Sequence, residues 1–137
     1  IPFVRKLIKL LRAIPIPKGI ENKKYFIKAI SNLLKEKNIV HVYPEASLWP
    51  YCQKIRNFKN GAFDIAVRNQ VPVVPCVFIF REPTGIRKVF KRKKDVTLKI
   101  LKPVYSDSDK YIRQQIEELK QEVASEMREA VDKEDNL

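Results

Sequence analysis

The sequence is short of several residue types, and each shortage excludes something. Only two cysteines, Cys52 and Cys76, occur in 137 residues. They lack Cys-x-x-Cys spacing, so no disulfide scaffold and no zinc or other metal site is expected, and the thiols read as reduced. No apolar run approaches the ~20 residues that a bilayer-spanning helix requires, so no spanning helix is expected. Histidine occurs once, at His41. Acidic residues are scarce in one part of the chain: residues 1–102 hold 6 Asp/Glu against 23 Lys/Arg, a net of +17, whereas residues 103–137 hold 10 against 5, a net of −5. A basic body followed by an acidic tail favours an anionic partner, whether phospholipid headgroups, nucleic acid or a phosphorylated small molecule. The chain starts at Ile1 without an initiator Met or a signal-peptide pattern, and it reads as a piece of a longer protein.

What is present fits a single domain. A hydrophobic share of 45% and a charged share of 32% are those of a globular chain, and this length buries roughly two thirds of its unfolded surface in one core. Val4, Leu7, Ile8 and Leu11 recur at helical spacing with Arg5, Lys9 and Arg12 on another face, predicting a basic amphipathic helix over 3–12. Residues 13–17 are too proline-rich for helix and read as an edge strand or extended connection. Phe26, Ile27, Ile30, Leu33 and Leu34 predict a helix over 21–37, with Asn38 as its stop.

Residues 39–43 are β-rich and read as a buried strand holding His41 as an ordinary sheet histidine. A loop over 46–60 is of a length that usually carries function, and a helix over Gly61–Asn69 follows. The strongest strand signal lies in residues 71–80, although Pro72 and Pro75 confine its start to an edge or bulge. A second strand over 96–101 alternates as if one face were solvated. Between them lies a hairpin loop with six cations from Arg87 to Lys94. A long helix over 111–131 closes the chain. Alternating helices and strands predict an α/β fold with a mostly parallel sheet flanked by helices and incomplete at its N-terminus.

The chemistry concentrates in the middle. Glu45 leaves the apolar run 39–43 at its carboxyl end, where side chains of α/β sheets line crevices. Lys59 and the backbone amides at Gly61 stand at a helix start, where unpaired N–H groups and a partial positive charge suit an anion. Cys52 has no neighbouring His or helix start to make it a nucleophile.

The run Tyr43-Pro44-Glu45-Ala46-Ser47-Leu48, then Phe58-Lys59-Asn60-Gly61-Ala62-Phe63 with Ile65-Ala66, then Val71-Pro72-Val73-Val74-Pro75, resembles the third and fourth blocks of the glycerolipid (1-acylglycerol-3-phosphate / lysophospholipid) acyltransferase family. Ala13-Ile14-Pro15-Ile16-Pro17-Lys18 is similar to its second block. The resemblance covers residues 1 to about 105. It implies an O-acyltransferase moving a fatty acyl group from acyl-CoA or acyl-carrier protein to a lysophospholipid or glycerol-phosphate hydroxyl. It further implies acceptor binding by Glu45, Ser47, Lys59, Gly61 and Lys18, no cofactor beyond the thioester co-substrate, and a peripheral place on the cytoplasmic face of a membrane.

Three departures qualify what the resemblance implies. The family's first block, His-x-x-x-x-Asp, supplies the general base; here His41 is followed five positions later by Ala46, so by family order the block falls before Ile1 and these residues alone are expected to be inactive. The third block's Arg is replaced by Leu48, which leaves Arg56 as a substitute charge near Lys59. Lys18 keeps a charge where the second block has Arg but lacks its bidentate fork. Two alternatives remain open: a non-catalytic lipid-binding relative, and a nucleic-acid-binding module. Against the latter, aromatics are not interleaved with the basic cluster and no nucleic-acid motif is present.

Overall fold

The computed structural model describes Ile14 and residues 19–45, 51–52, 54–85 and 94–135. The expected helix over 3–12, most of the extended segment over 13–17, Lys18, Ser47 and nearly all of the Arg87–Lys94 cluster lie outside the described residues. The chain divides into two compact units, Ile1–Val40 and His41–Leu137.

In the first unit, α1 spans Ile20–Lys35. Gly19 precedes it with φ of 100°, a conformation open to a residue without Cβ. The apolar stripe read from the sequence has Ile30 buried at its centre, with Phe26, Ile27, Leu33 and Leu34 half-buried. The helix stops because Lys37 turns left-handed at φ 61°. The Asn38 N–H then donates to Leu33 O and the Lys37 N–H to Leu34 O, both at 3.0 Å, which is the six-to-one and five-to-two pairing of a Schellman end. Asn38 Nδ2 adds a bond to Leu33 O at 3.2 Å, so the residue read as a stop signal supplies both a backbone and a side-chain cap.

The second unit carries α2 (Gly61–Asn69), β1 (Cys76–Arg81), β2 (Asp95–Ile100) and α3 (Ile112–Asp135). α2 has the bounds the sequence predicted. Its buried face is Phe63, Ala66 and Val67, and Asp64 in its first turn pairs with Arg68 at 2.8 Å, placing each charge at the helix end that favours it. It ends as α1 does. Gln70 is left-handed at φ 52°, its N–H reaches Val67 O, and the Val71 N–H reaches Ala66 O. Val71 then packs against the core.

Pro72 and Pro75 have no N–H to offer a ladder. Val73 accordingly makes only an isolated bridge to Val104, and regular pairing starts at Cys76. β1 and β2 pair antiparallel, with Phe78 opposite Leu98 and Ile79 opposite Thr97. The mixed α/β character is as expected; the mostly parallel sheet is not, because the sheet among the described residues is this antiparallel pair. Alternation of helices and strands reports the order of the elements and not which strand lies alongside which, and an antiparallel pair of consecutive strands needs no crossover.

Two further expectations fail. Residues 39–43 form no strand, and Ile39 is 97% exposed: β-branched residues make a strand only when a partner accepts their ladder. His41 is therefore an exposed residue lying against the Tyr43 ring at 4.7 Å, rather than a sheet histidine. In β2 the apolar residues Val96, Leu98 and Ile100 are exposed, as is Thr97, while half-buried Lys99 lies where its Nζ donates to Glu134 of α3 at 3.0 Å.

α3 covers the other face of the hairpin. Its stripe of Leu119, Val123 and Met127, extended by Ala124, Ala130 and Val131, joins Phe63, Val67, Val77 and Ile79 in one core. Gln115 is the buried polar residue among those described, and its side-chain amide donates to Lys110 O, satisfying the group that burial would otherwise penalise.

Candidate functional site

The site begins with a turn at Pro44 and Glu45, both half-buried, and an irregular segment over 54–59. Hydrophobic anchoring explains that segment's shape: Phe58 is buried, its ring stacked on Phe63 of α2 with centroids 5.9 Å apart and planes 20° from parallel, and Ile55 packs against the same core. With residues 55 and 58 held inward, their charged neighbours are left to the surface. Two bonds then tie the segment to the turn. The Lys59 N–H donates to Pro44 O at 2.8 Å, and Arg56 Nε donates to Glu45 Oε2 at 3.0 Å.

Between these elements lies an open hollow of about 730 Å³, lined by Glu45, Lys54, Ile55, Arg56, Asn57, Lys59 and Arg128. Four cations surround one carboxylate, a net of +3 over the lining. Glu45 is itself in an ion pair with Arg56, the two side chains 24% and 28% exposed, so its negative charge is largely met within the site. A cation about 4 Å from a bound anion contributes roughly 1 kcal/mol in bulk water and about 4 kcal/mol where the effective dielectric falls to ~20. The hollow therefore suits a multiply charged anion such as a phosphate monoester. Among the described residues the lining offers four cations and one carboxylate and no histidine, cysteine or serine, a set suited to binding charge.

Of the residues read from the sequence, the structure brings Glu45, Arg56 and Lys59 together around this hollow. Gly61 opens α2 two residues beyond Lys59, outside the lining. Asn60 at the helix start forms no side-chain cap with the amides; its Oδ1 instead accepts from Lys120 Nζ at 3.0 Å. A Cβ placed on Gly61 would meet nothing within 4 Å, so the glycine leaves open space at the helix start. Lys18 and Ser47 lie outside the described residues. Sequence reasoning missed Lys54, Asn57 and Arg128. The first two lie within the functional loop already marked. For Arg128, 83 residues after Glu45 on an acidic helix, no local pattern signals the proximity.

The displaced titrations lie elsewhere and serve the scaffold. Glu134 is held below the usual carboxylate range, chiefly by its hydrogen bond from Lys99, with the charges of Lys99 and Arg81 adding to it against desolvation. That pairing with both Arg81 and Lys99 fastens the end of α3 to both strands of the hairpin. At the other end of the helix, Lys110 is raised by its hydrogen bond to Glu118, and Asp107 is lowered mainly by the backbone amide of Asp109.

A family model described as Acyltransferase matches residues 1–79, more than half of the chain. The chain belongs to the acyltransferase family. No curated protein and no solved structure matches it at a significant level. The matched residues of this acyltransferase chain include Glu45, Lys54, Ile55, Arg56, Asn57 and Lys59, that is, the hollow's described lining apart from Arg128. The family supports a general acyl-transfer role, and the hollow supplies the chemistry from which a substrate can be argued.

Proposed function

We propose that the chain is part of an O-acyltransferase that moves a fatty acyl group from acyl-CoA or acyl-carrier protein to a hydroxyl of a lysophospholipid or glycerol phosphate, as a step of phospholipid biosynthesis. The observation that carries this reading is the hollow: a family member presents four cations and one internally paired carboxylate around a space wide enough for a glycerol-phosphate headgroup. In this reading Lys59 and Arg56 hold the acceptor phosphate. Glu45 fixes Arg56 by its hydrogen bond, so the guanidinium is oriented before the ligand arrives and less ordering remains to be done on binding. The 137 residues contain no His-x-x-x-x-Asp, so deprotonation of the acceptor hydroxyl is assigned to a group they do not supply.

The test is equilibrium binding. Glycerol 3-phosphate is expected to bind the chain at least tenfold more tightly than glycerol, with affinity falling as salt rises, because the contact is charge-driven and screened. Equal binding of the two compounds, or binding indifferent to salt, would remove the phosphate from the account.

We also propose an anionic membrane surface as the place of work, on its cytoplasmic side. The hairpin's outer face exposes Phe78, Val96, Leu98 and Ile100, and the sequence joining its strands carries six cations between Arg87 and Lys94. An apolar face on two strands whose connecting sequence is basic suits a bilayer with anionic headgroups, each cation contributing about 1 kcal/mol near such a surface. Among the described residues no helix is long and apolar enough to cross a membrane, so contact would be peripheral. The chain should sediment with phosphatidylglycerol-containing vesicles and not with neutral phosphatidylcholine vesicles. Replacing Lys91, Arg92 and Lys93 by Glu should abolish that difference, and retention by neutral vesicles alone would refute the charge argument.

A further inference from the structure

Arg128 stands apart from the other lining residues. It comes from α3, beyond the residues that the family model matches, yet it lines the same hollow as Glu45, Arg56 and Lys59. Its helix neighbour Met127 is buried, as are Ala124 and Val131, while Arg128 itself is exposed at the flank of that stripe. The packing of α3 on α2 and β1 therefore fixes where the side chain starts, and the long stem leaves its planar head able to reach a ligand. Two other cations of this helix are engaged, Lys120 with Glu117 and Asn60 and Lys133 with Glu129. No carboxylate among the described residues forms an ion pair with Arg128.

A guanidinium without an ion-pair partner among the described residues, held by a packed helix at a cationic hollow, matches the planar, two-pronged geometry of a phosphate. The carboxylate among the described lining residues, Glu45, is already bonded to Arg56.

We propose that Arg128 is a ligand-binding residue of the hollow, closing on the phosphate group of the acceptor from the side opposite the loop that carries Arg56 and Lys59. The C-terminal helix thereby contributes to substrate selection as well as to the core. This rests on the reading of the hollow as a phosphate site and adds to it the residue that discriminates phosphate from uncharged headgroups.

Calorimetric titration of the full 137-residue chain with glycerol 3-phosphate at low salt tests it. Arg128→Met keeps the apolar stem and helix propensity while removing the charged head. It should weaken binding at least about tenfold, the loss of one charge-assisted contact, with the thermal midpoint unchanged. Arg128→Lys should fall between Arg128→Met and the parent. Lys133→Met, which removes the same charge from the same helix away from the hollow, should bind as the parent does. If Arg128→Met binds within twofold of the parent while Lys59→Glu binds poorly, the hollow remains a phosphate site and Arg128 has no part in it. If Lys133→Met weakens binding as much as Arg128→Met, net charge and not position is responsible, and the inference falls. A parent chain that does not bind glycerol 3-phosphate overturns both the inference and the reading beneath it.

Discussion

Phe63→Ala is expected to cost about 3–5 kcal/mol of stability, the range for emptying a buried aromatic site. Phe63 is 1% exposed, and its position in α2 lets it meet residues from the hairpin and α3 in one core. Its ring also stacks on Phe58, an arrangement that adds about 0.5–1.5 kcal/mol beyond area burial. Since a domain of this size holds a net of only about 5–15 kcal/mol, the loss is a large fraction of the total. In urea the midpoint should fall by about 2 M for a slope near 2 kcal/mol/M. The consequence reaches the site, because Phe58 immediately precedes Lys59. A shift below about 0.5 M would mean that the two rings do not bear on each other as described.

Lys59→Glu should show the opposite division, a large loss of binding with little loss of stability. The Lys59 side chain is exposed and lines the hollow. What the residue contributes to the fold is its backbone N–H, bonded to Pro44 O, which any residue other than proline retains. The substitution turns the lining from a net of +3 to +1 and sets a carboxylate where a phosphate would lie. Surface substitutions of this kind usually stay within about 0.5 kcal/mol of stability. Binding of glycerol 3-phosphate should fall by about thirtyfold or more, on the order of 2 kcal/mol. Retained affinity together with a lowered midpoint in urea would show that Lys59 serves the fold and not the ligand.

The elements defined by local chemistry were legible in the sequence. α2 could be bounded because its apolar spacing, its opening glycine and its closing asparagine all act within a few residues. The Asn38 stop works through bonds to residues five positions back, again a local matter. The hairpin reading of the link after residue 80 agrees with the antiparallel pairing of β1 and β2, but the mostly parallel sheet was read from element alternation, which says nothing of which strand lies alongside. Residues 39–43 show the same limit: their propensity is for extended structure, but pairing is a tertiary event, and Ile39 remains in solvent.

Part of the hollow could be read for the same reason. Glu45, Arg56 and Lys59 lie within 15 residues of one another, at the edge of or within the marked loop over 46–60, whereas Arg128 arrives through the packing of a helix whose own pattern declares only its buried stripe. The alternation in β2 marked one solvated face without saying which residues would occupy it. The ion pair of Lys99 with Glu134 and the burial of Val77 and Ile79 on that same side leave the apolar residues outward.

The central claim is that the hollow between the Glu45 turn, the 54–59 segment and α3 receives the phosphate of an acyl acceptor. The most direct measurement is amide chemical-shift mapping of the chain during titration with a short-chain lysophosphatidate, repeated with the corresponding phosphate-free monoacylglycerol. Shifts should concentrate at Glu45, residues 54–59 and Arg128, and should be absent with the phosphate-free compound. Equal shifts with both compounds, or shifts that bypass these residues, would contradict the account.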